Sequence, residues 1–226
     1  MCYHHKTPMV DIWWYGQSCF KVKGKNASVV FDPYDSNFTG LKPLKLDANI
    51  VCVTHDHGDH NNVSAVKGAE EGETAFVVSG PGEYEKTGVN VVGIQGFHDD
   101  NKGSERGKNT IYFVTIDEIN IVHLGDLGQK NLTQDQIEEL SPCDVLMIPV
   151  GGVYTITSKE APDIISALEP KIVIPMHYKT TGLKFNLDAV DNFLKALGKE
   201  PEPVSKLSLS REKLPEELEV VVLEMQ

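Results

Sequence analysis

Residues His55, Asp56, His57, Gly58, Asp59 and His60 form an unbroken run in which four side chains, His55, His57, Asp59 and His60, can coordinate metal. The apolar stretch Asn49 to Thr54 leads straight into it. That stretch is short, bounded and rich in β-branched residues, so it reads as a buried strand. In an extended strand end, positions i and i+2 face the same way, so His55 and His57 point together at one ion. Gly58 permits a sharp turn. Asn61 and Asn62 suit the entrance to a helical segment around Val63 to Lys67. Asp59 and His60 are left on the turn to face a second point, so the spacing suits two ions rather than one.

The remaining candidates follow other strands. Asp32 comes after Ser28 to Phe31, and His98 comes after Val89 to Ile94 and a Gln95-Gly96 break. Asp126 comes after Ile119 to Leu124 and Gly125, and His177 after Ile172 to Met176. Sites commonly gather where strand ends and their loops converge. Imidazoles and carboxylates without thiolate suit Zn²⁺, and also Mn²⁺ or Fe. Two such ions, about 3.5–4 Å apart, hold a hydroxide at neutral pH and clamp a developing oxyanion. Ser18, Cys19 and Ser79 stand in no context that would make them nucleophiles.

The elements that must position these groups are mostly strands in the first half: Val10 to Tyr15, Cys19 to Val22, Ser28 to Phe31, the motif strand, Ala75 to Ser79, Val89 to Ile94, Thr110 to Ile116 and Ile119 to Leu124. Asp117-Glu118 is a hairpin turn candidate. The second half alternates. Thr133 opens a helix to Leu140, with Gln136 completing a capping box. Helices are also predicted over Ser158 to Leu168 and Asn186 to Leu197, the latter ending at Gly198. Strands are predicted over Asp144 to Pro149, Lys171 to Pro175 and Glu219 to Leu223. Gly80 to Glu85 reads as a turn without chemistry. The expected class is α/β, with one domain over 9–226 behind a leader at 1–8 that contains Cys2, His4 and His5.

Composition narrows the function. The chain has 226 residues, 40% hydrophobic and 24% charged, which suits a globular protein with one sizeable core. No apolar run approaches the length of a membrane span, and the N-terminus has no signal-like apolar region. A net charge of −12 argues against broad nucleic-acid or anionic-membrane binding. Cys2, Cys19, Cys52 and Cys143 form no C-x-x-C pair, which fits reduced thiols in a cytoplasmic protein.

The pieces Thr54 to His60, Gly96-Phe97-His98, Leu124-Gly125-Asp126 and Pro175-Met176-His177 match, in order, the metal motifs of the metallo-β-lactamase-fold superfamily. Asp11 to Phe20 and Phe31-Asp32-Pro33-Tyr34 resemble the opening of its small cytoplasmic hydrolase branch. That branch is similar to ascorbate-6-phosphate lactonases and, more distantly, to N-acyl-phosphatidylethanolamine phospholipase D. In many relatives a His stands where this chain has Gln17. The resemblance implies a four-layer αβ/βα sandwich of two mixed sheets flanked by helices. It also implies a dinuclear site, with two zinc ions per chain. His55, His57 and His98 would hold one ion, Asp59, His60 and His177 the other, and Asp126 would bridge them. Asp59 and Asp126 would be the catalytic carboxylates, Asp59 orienting the attacking hydroxide.

Asp32 is a candidate for fixing a ligand imidazole. Tyr154, in Gly151 to Thr155, resembles a substrate-side residue, and Lys179 is a candidate for holding a phosphate or carboxylate. His123 reads as a core or supporting histidine, and Asp56 and Asp99 as solvated acids. The expected function is a metal-dependent hydrolase acting on a small molecule, a phosphodiester or phosphorylated lactone. A non-catalytic metal or metabolite sensor and a two-metal nuclease are the alternatives. The stretch after His177 is short for the helical domain of glyoxalase II-like thioesterases. The span from His98 to His177 leaves no room for the inserted domain of the nucleic-acid-processing branch. The apolar Val220 to Leu223 can pair within the fold or across subunits of a homo-oligomer.

Overall fold

The computed structural model describes residues 7–226. Of the expected leader, 1–6 lie outside the described residues. The first half contributes β1 (Val10–Gly16), β2 (Cys19–Lys23), β3 (Ser28–Phe31), α1 (Ser36–Thr39), β4 (Leu46–Ala48), β5 (Ile50–Cys52), β6 (Val66–Gly68) and β7 (Phe76–Val78). Next come β8 (Gly82–Lys86), β9 (Val89–Phe97), β10 (Lys108–Ile116), β11 (Ile119–His123), α2 (Gln134–Glu139) and β12 (Val145–Pro149). The chain ends with α3 (Ala161–Leu168), β13 (Ile172–Met176), α4 (Val190–Leu197), β14 (Leu207–Leu209) and β15 (Glu219–Val220).

Two mixed sheets result. The first runs β14-β1-β2-β3-β5-β7 and the second β15-β13-β12-β11-β10-β9-β8. In each, antiparallel pairing gives way to parallel pairing, at β3/β5 and at β11/β12. The strands β3, β5, β12 and β13 are buried along their whole length, as strands covered on both faces must be. Between the sheets, Ile12, Trp14, Phe20 and Phe31 pack with Tyr112, Val114 and Ile121 in one apolar core. On the outside of the second sheet, α3 packs on β12 and α4, presenting Ala161, Ile164, Ile165 and Leu168 inward. That i, i+3, i+4, i+7 spacing is a helical stripe. The outside of the first sheet is covered more thinly: Val30 and Val51 pack beneath Tyr34, Leu41, Leu46 and Val66, around α1 and the β4–β6 ribbon. The architecture is the four-layer αβ/βα sandwich.

Several local expectations change. The segment read as a turn at Gly80 to Glu85 holds all but the last residue of β8, which pairs antiparallel with β9 across a Thr87-Gly88 turn. Its side chains are largely exposed, so no apolar alternation announces it. The helical reading of Val63 to Lys67 yields one 3₁₀ turn over Val63–Ala65, followed by β6. The helix expected from Asn186 starts at Val190. Asp188 N–H donates to Gly151 O at 2.9 Å and Lys179 N–H to Asp188 O at 2.9 Å, which diverts that segment's backbone from helical bonding. At α3, Glu160 Oε2 accepts the N–H of Thr157 at 2.8 Å, and the residues before Ala161 form turns. The Gln95-Gly96 break is absent, since β9 runs through to Phe97. The Thr133–Gln136 capping box and the Asp117-Glu118 turn both form, the latter with φ of 47° and 65°.

Tyr112 links the sheets. From β10 its hydroxyl lies 2.8 Å from Val53 O, just past β5, and 3.1 Å from Val78 O, at the end of β7, and accepts from Gly80 N–H at 3.1 Å. Tyr112→Phe removes the partner of the buried Val53 carbonyl and of the part-buried Gly80 N–H, while Val78 O keeps the Val53 N–H at 2.8 Å. We expect a loss of about 1–3 kcal/mol in denaturant unfolding. Unchanged stability would show that the hydroxyl is not what joins the sheets there.

Candidate metal centre

The sheets meet at one end of the sandwich, and the chemistry-bearing residues collect there. The N–H of Thr54 donates to Asp32 Oδ1 at 2.8 Å, while its carbonyl accepts from Thr110 N–H of β10 at 2.8 Å. The His55 to His60 loop therefore leaves a strand end pinned to both sheets. At two positions glycine permits a close approach of the backbone. A Cβ on Gly58 would press on the Phe38 ring, so that residue serves close approach rather than a left-handed turn. A Cβ on Gly125, at φ +57°, would collide with Asn109 and Thr54. Asp126 follows immediately, its N–H bonded to Asn109 Oδ1 at 3.0 Å.

His98 stands one residue past β9, Asp126 three past β11 and His177 one past β13. Two clusters form, His55 with His57 and His98, and Asp59 with His60, Asp126 and His177; within each, the candidate ligand atoms lie within 4.8 Å of one another. Asp126 Oδ2 is their common point. It lies 3.2 Å from His60 Nε2, 3.3 Å from His177 Nε2, 3.4 Å from His98 Nε2 and 4.0 Å from His55 Nε2. Asp59 Oδ2 faces His60 Nε2 at 3.5 Å and His177 Nε2 at 3.9 Å.

Asp32 lies behind this cluster, fully buried and in the left-handed region at φ +42°. Its Oδ2 takes His60 Nδ1 at 2.8 Å and the Thr54 hydroxyl at 2.8 Å. Because that hydroxyl donates to Asp32, it accepts from His55 Nδ1 at 3.0 Å. One carboxylate thus orients two rings, placing a proton on Nδ1 of each and turning Nε2 toward the cluster. The Nε2 atoms of His55 and His60 are buried without a hydrogen-bond partner.

The electrostatics call for a cation. Burial alone would raise the Asp126 carboxyl, but His177 and His60 outweigh it and hold the group ionised. Asp59 follows the same logic: burial raises it, and His60 and His177 bring it well below the usual carboxylate range. For His60, burial favours the neutral ring, but Asp126, Asp59 and Asp32 overcome it and raise its pKa well above the ordinary value. Burial, reinforced by His60, pushes His55 down to about 2. Three buried carboxylates face imidazoles, and among the described residues no lysine or arginine pairs with them. Orphaned ring nitrogens around such carboxylates are a donor set that fits divalent metal.

Two further groups touch the cluster that residue types alone did not reveal. The buried amide of Gln17, at φ +49°, donates to Asp59 Oδ2 at 3.3 Å, and Ser18 Oγ donates to Asp126 Oδ1 at 3.3 Å. His123 takes no part in either cluster. Its Nε2 bonds Ser18 O at 2.9 Å, and its ring stacks on Phe31 at 4.7 Å, with burial keeping it neutral.

Five of the clustered residues, His57, Asp59, His98, Asp126 and His177, open onto a cavity of about 460 Å³. Phe38, Phe185, Tyr154 and Arg106 line its sides. Tyr154 therefore stands where a substrate-side residue is expected. Lys179 does not. Tyr178 is buried with its ring 4.9 Å from Trp14, and the next residue, Lys179, is exposed away from the cavity lining. Asp99 also departs from its expected role. Instead of being solvated it is buried, and its carboxylate accepts four backbone N–H groups from the 101–106 loop. Burial, the largest single effect, raises its pKa, but the four bonds together outweigh it and bring the value down to about 2. A run of polar and glycine residues after an aspartate is the available signal for such a turn.

Residues 11–177 match the family model described as a beta-lactamase superfamily domain. A Thermoplasma acidophilum protein named a metal-dependent hydrolase is 30% identical over 193 residues, spanning 77% of this chain and 85% of its own length. A crystal structure from Thermotoga maritima, assigned to Zn-dependent hydrolases of the metallo-beta-lactamase superfamily, aligns with a TM-score of 0.76 and 38% identity. That alignment covers 96% of this chain and all of that one, at 100%. A metallo hydrolase from Ignicoccus hospitalis shares the fold at a TM-score of 0.65 and 19% identity, covering 89% of this chain and 99% of its own.

Proposed function

The chain belongs to the beta-lactamase superfamily, and from that premise we propose that it is a metal-dependent hydrolase whose buried cluster holds two metal ions. His55, His57 and His98 would hold one, Asp59, His60 and His177 the other, with Asp126 between them. The observation that carries this reading is Asp126 Oδ2, within 4.0 Å of four imidazole Nε2 atoms at the floor of an open cavity. The donor set is compatible with Zn²⁺, Mn²⁺ or Fe. When bound, such ions supply Lewis acidity and a water acidified toward neutral pH.

The chain's own groups do the rest. Asp32 keeps His60, and through Thr54 also His55, with the free nitrogen turned inward. Gln17 steadies Asp59 at its Oδ2, leaving that ionised carboxylate in place to accept a hydrogen bond from the attacking water and orient it. Ser18 and the Asn109 side chain hold Asp126. The cavity walls exclude bulk water from one side of a bound small molecule, and a phosphodiester or phosphorylated lactone suits the oxyanion chemistry. Among the described residues no helix is long and apolar enough to cross a membrane. Cys19, Cys52 and Cys143 are buried free thiols, as suits a cytoplasmic setting.

Elemental analysis should find two equivalents of metal per chain. The loaded protein should then turn over bis-nitrophenyl phosphate or a member of a lactone panel and lose that activity in chelator. Metal-loaded protein that turns over none of them would remove the hydrolase reading.

A further inference from the structure

Only two of the 21 basic residues are arginines. Arg211 is bound by the buried Asp144 at 2.7 and 2.8 Å. Arg106 is exposed at the cavity wall, and among the described residues no carboxylate lies within ion-pair distance of it. Neighbouring Glu105 lines the same cavity without closing on it. A guanidinium with no acidic partner, in a chain of net charge −12, needs another account.

Its position is built rather than incidental. Asp99 shapes the loop by accepting N–H groups from Asn101, Gly103 and Arg106 at 2.8 Å and from Glu105 at 3.0 Å. The guanidinium then donates to Tyr154 O and Val153 O, each at 3.3 Å, and sits 5.5 Å from the centroid of the Tyr154 ring. These contacts use two of its five N–H donors. The remaining fork matches a carboxylate or phosphate, which a lysine would meet only as a point charge. Two more aromatic rings line the same cavity. Phe38, on α1, and Phe185, on the segment before α4, stand 5.2 Å apart, the two pieces joined by Lys184 N–H donating to Thr39 O at 2.9 Å.

We infer that Arg106 receives the anionic group of an amphiphilic substrate whose apolar part lies against Phe38, Phe185 and Tyr154. This rests on reading the cavity as the hydrolase's substrate site, and it narrows the substrate to an organic oxyanion carrying an apolar portion. Arg106 is a specificity residue here, distinct from the groups that would hold metal.

The test uses two probes of the same shape, 2-naphthoate and 2-naphthalenemethanol, titrated into metal-free wild type, Arg106→Gln and Phe185→Ala. Arg106→Gln should weaken naphthoate about 10–100-fold, the range of a lost charge-assisted hydrogen bond, and move the alcohol by no more than about twofold. Phe185→Ala should weaken both by about tenfold through lost apolar contact. If Arg106 were only a strut for the 153–154 backbone, both probes would weaken equally in Arg106→Gln, and the inference fails. It fails also if wild type shows no saturable naphthoate binding. Because these titrations use metal-free protein, they stand apart from the turnover assays. Inactivity of the loaded enzyme would sink the hydrolase reading and leave the anion site standing.

Discussion

Asp126→Asn should lose most bound metal from both clusters and cut kcat/KM by about a thousandfold or more, the several kcal/mol that metal ions contribute to transition-state charge. The side chain keeps its shape in this variant, so the effect isolates charge. Asp126 Oδ2 sits between the two clusters, 3.4 Å from His98 of one and 3.2 Å from His60 of the other. No other carboxylate oxygen in the site reaches both. An amide there presents a weaker donor to one cluster and an N–H to the other. The Asn109 contact to the backbone of residue 126 is untouched, so the fold should persist by circular dichroism. Full metal content with kcat/KM within about tenfold of wild type would show that Asp126 does not join the two clusters.

Chelation should destabilise the protein strongly. A ligand that binds only the folded chain at a thousand times its Kd contributes about 4 kcal/mol. In a chain of this size that is roughly 8–16 °C in Tm for each such site. The physical cause is the concentration of buried Asp32, Asp59 and Asp126 beside imidazoles whose ring nitrogens lack partners. Without metal, the only counter-charge is protons on the imidazoles, above all His60. Thermal unfolding with and without chelator reads the effect, and re-addition of Zn²⁺ or Mn²⁺ should restore it. A Tm unmoved by complete metal removal would mean that the cluster is satisfied by its own hydrogen bonds.

Much of the molecule was legible along the chain. The β-branched runs that became β3, β5, β12 and β13 are buried on both faces, so their apolar character is continuous and needs no partner to be seen. The capping box at Thr133 and the turn at Asp117-Glu118 are equally local. Strand β8 was hidden because it is held by backbone pairing to β9 and shows mostly exposed side chains. The start of α4 moved because Asp188 is bonded to the backbone of residues 151 and 179, far away in sequence.

The same division runs through the site. By itself the sequence determined which side chains are able to coordinate metal and that each follows a strand, because donor chemistry and strand burial are properties of residue type and near spacing. Only the tertiary structure decided which groups stand around them. Gln17 and Ser18 reach Asp59 and Asp126 because the β1–β2 turn enters the left-handed region beside the cluster. His123 points into the core because Phe31 and the Ser18 carbonyl, from the opposite sheet, claim both its face and its edge. The cation at the cavity is Arg106 rather than Lys179. Burial of Tyr178 against Trp14 accompanies the outward turn of Lys179, while four bonds to Asp99 shape the 101–106 loop that carries Arg106 to the cavity. Side-chain direction depends on contacts between residues distant in sequence, and no local pattern encodes it.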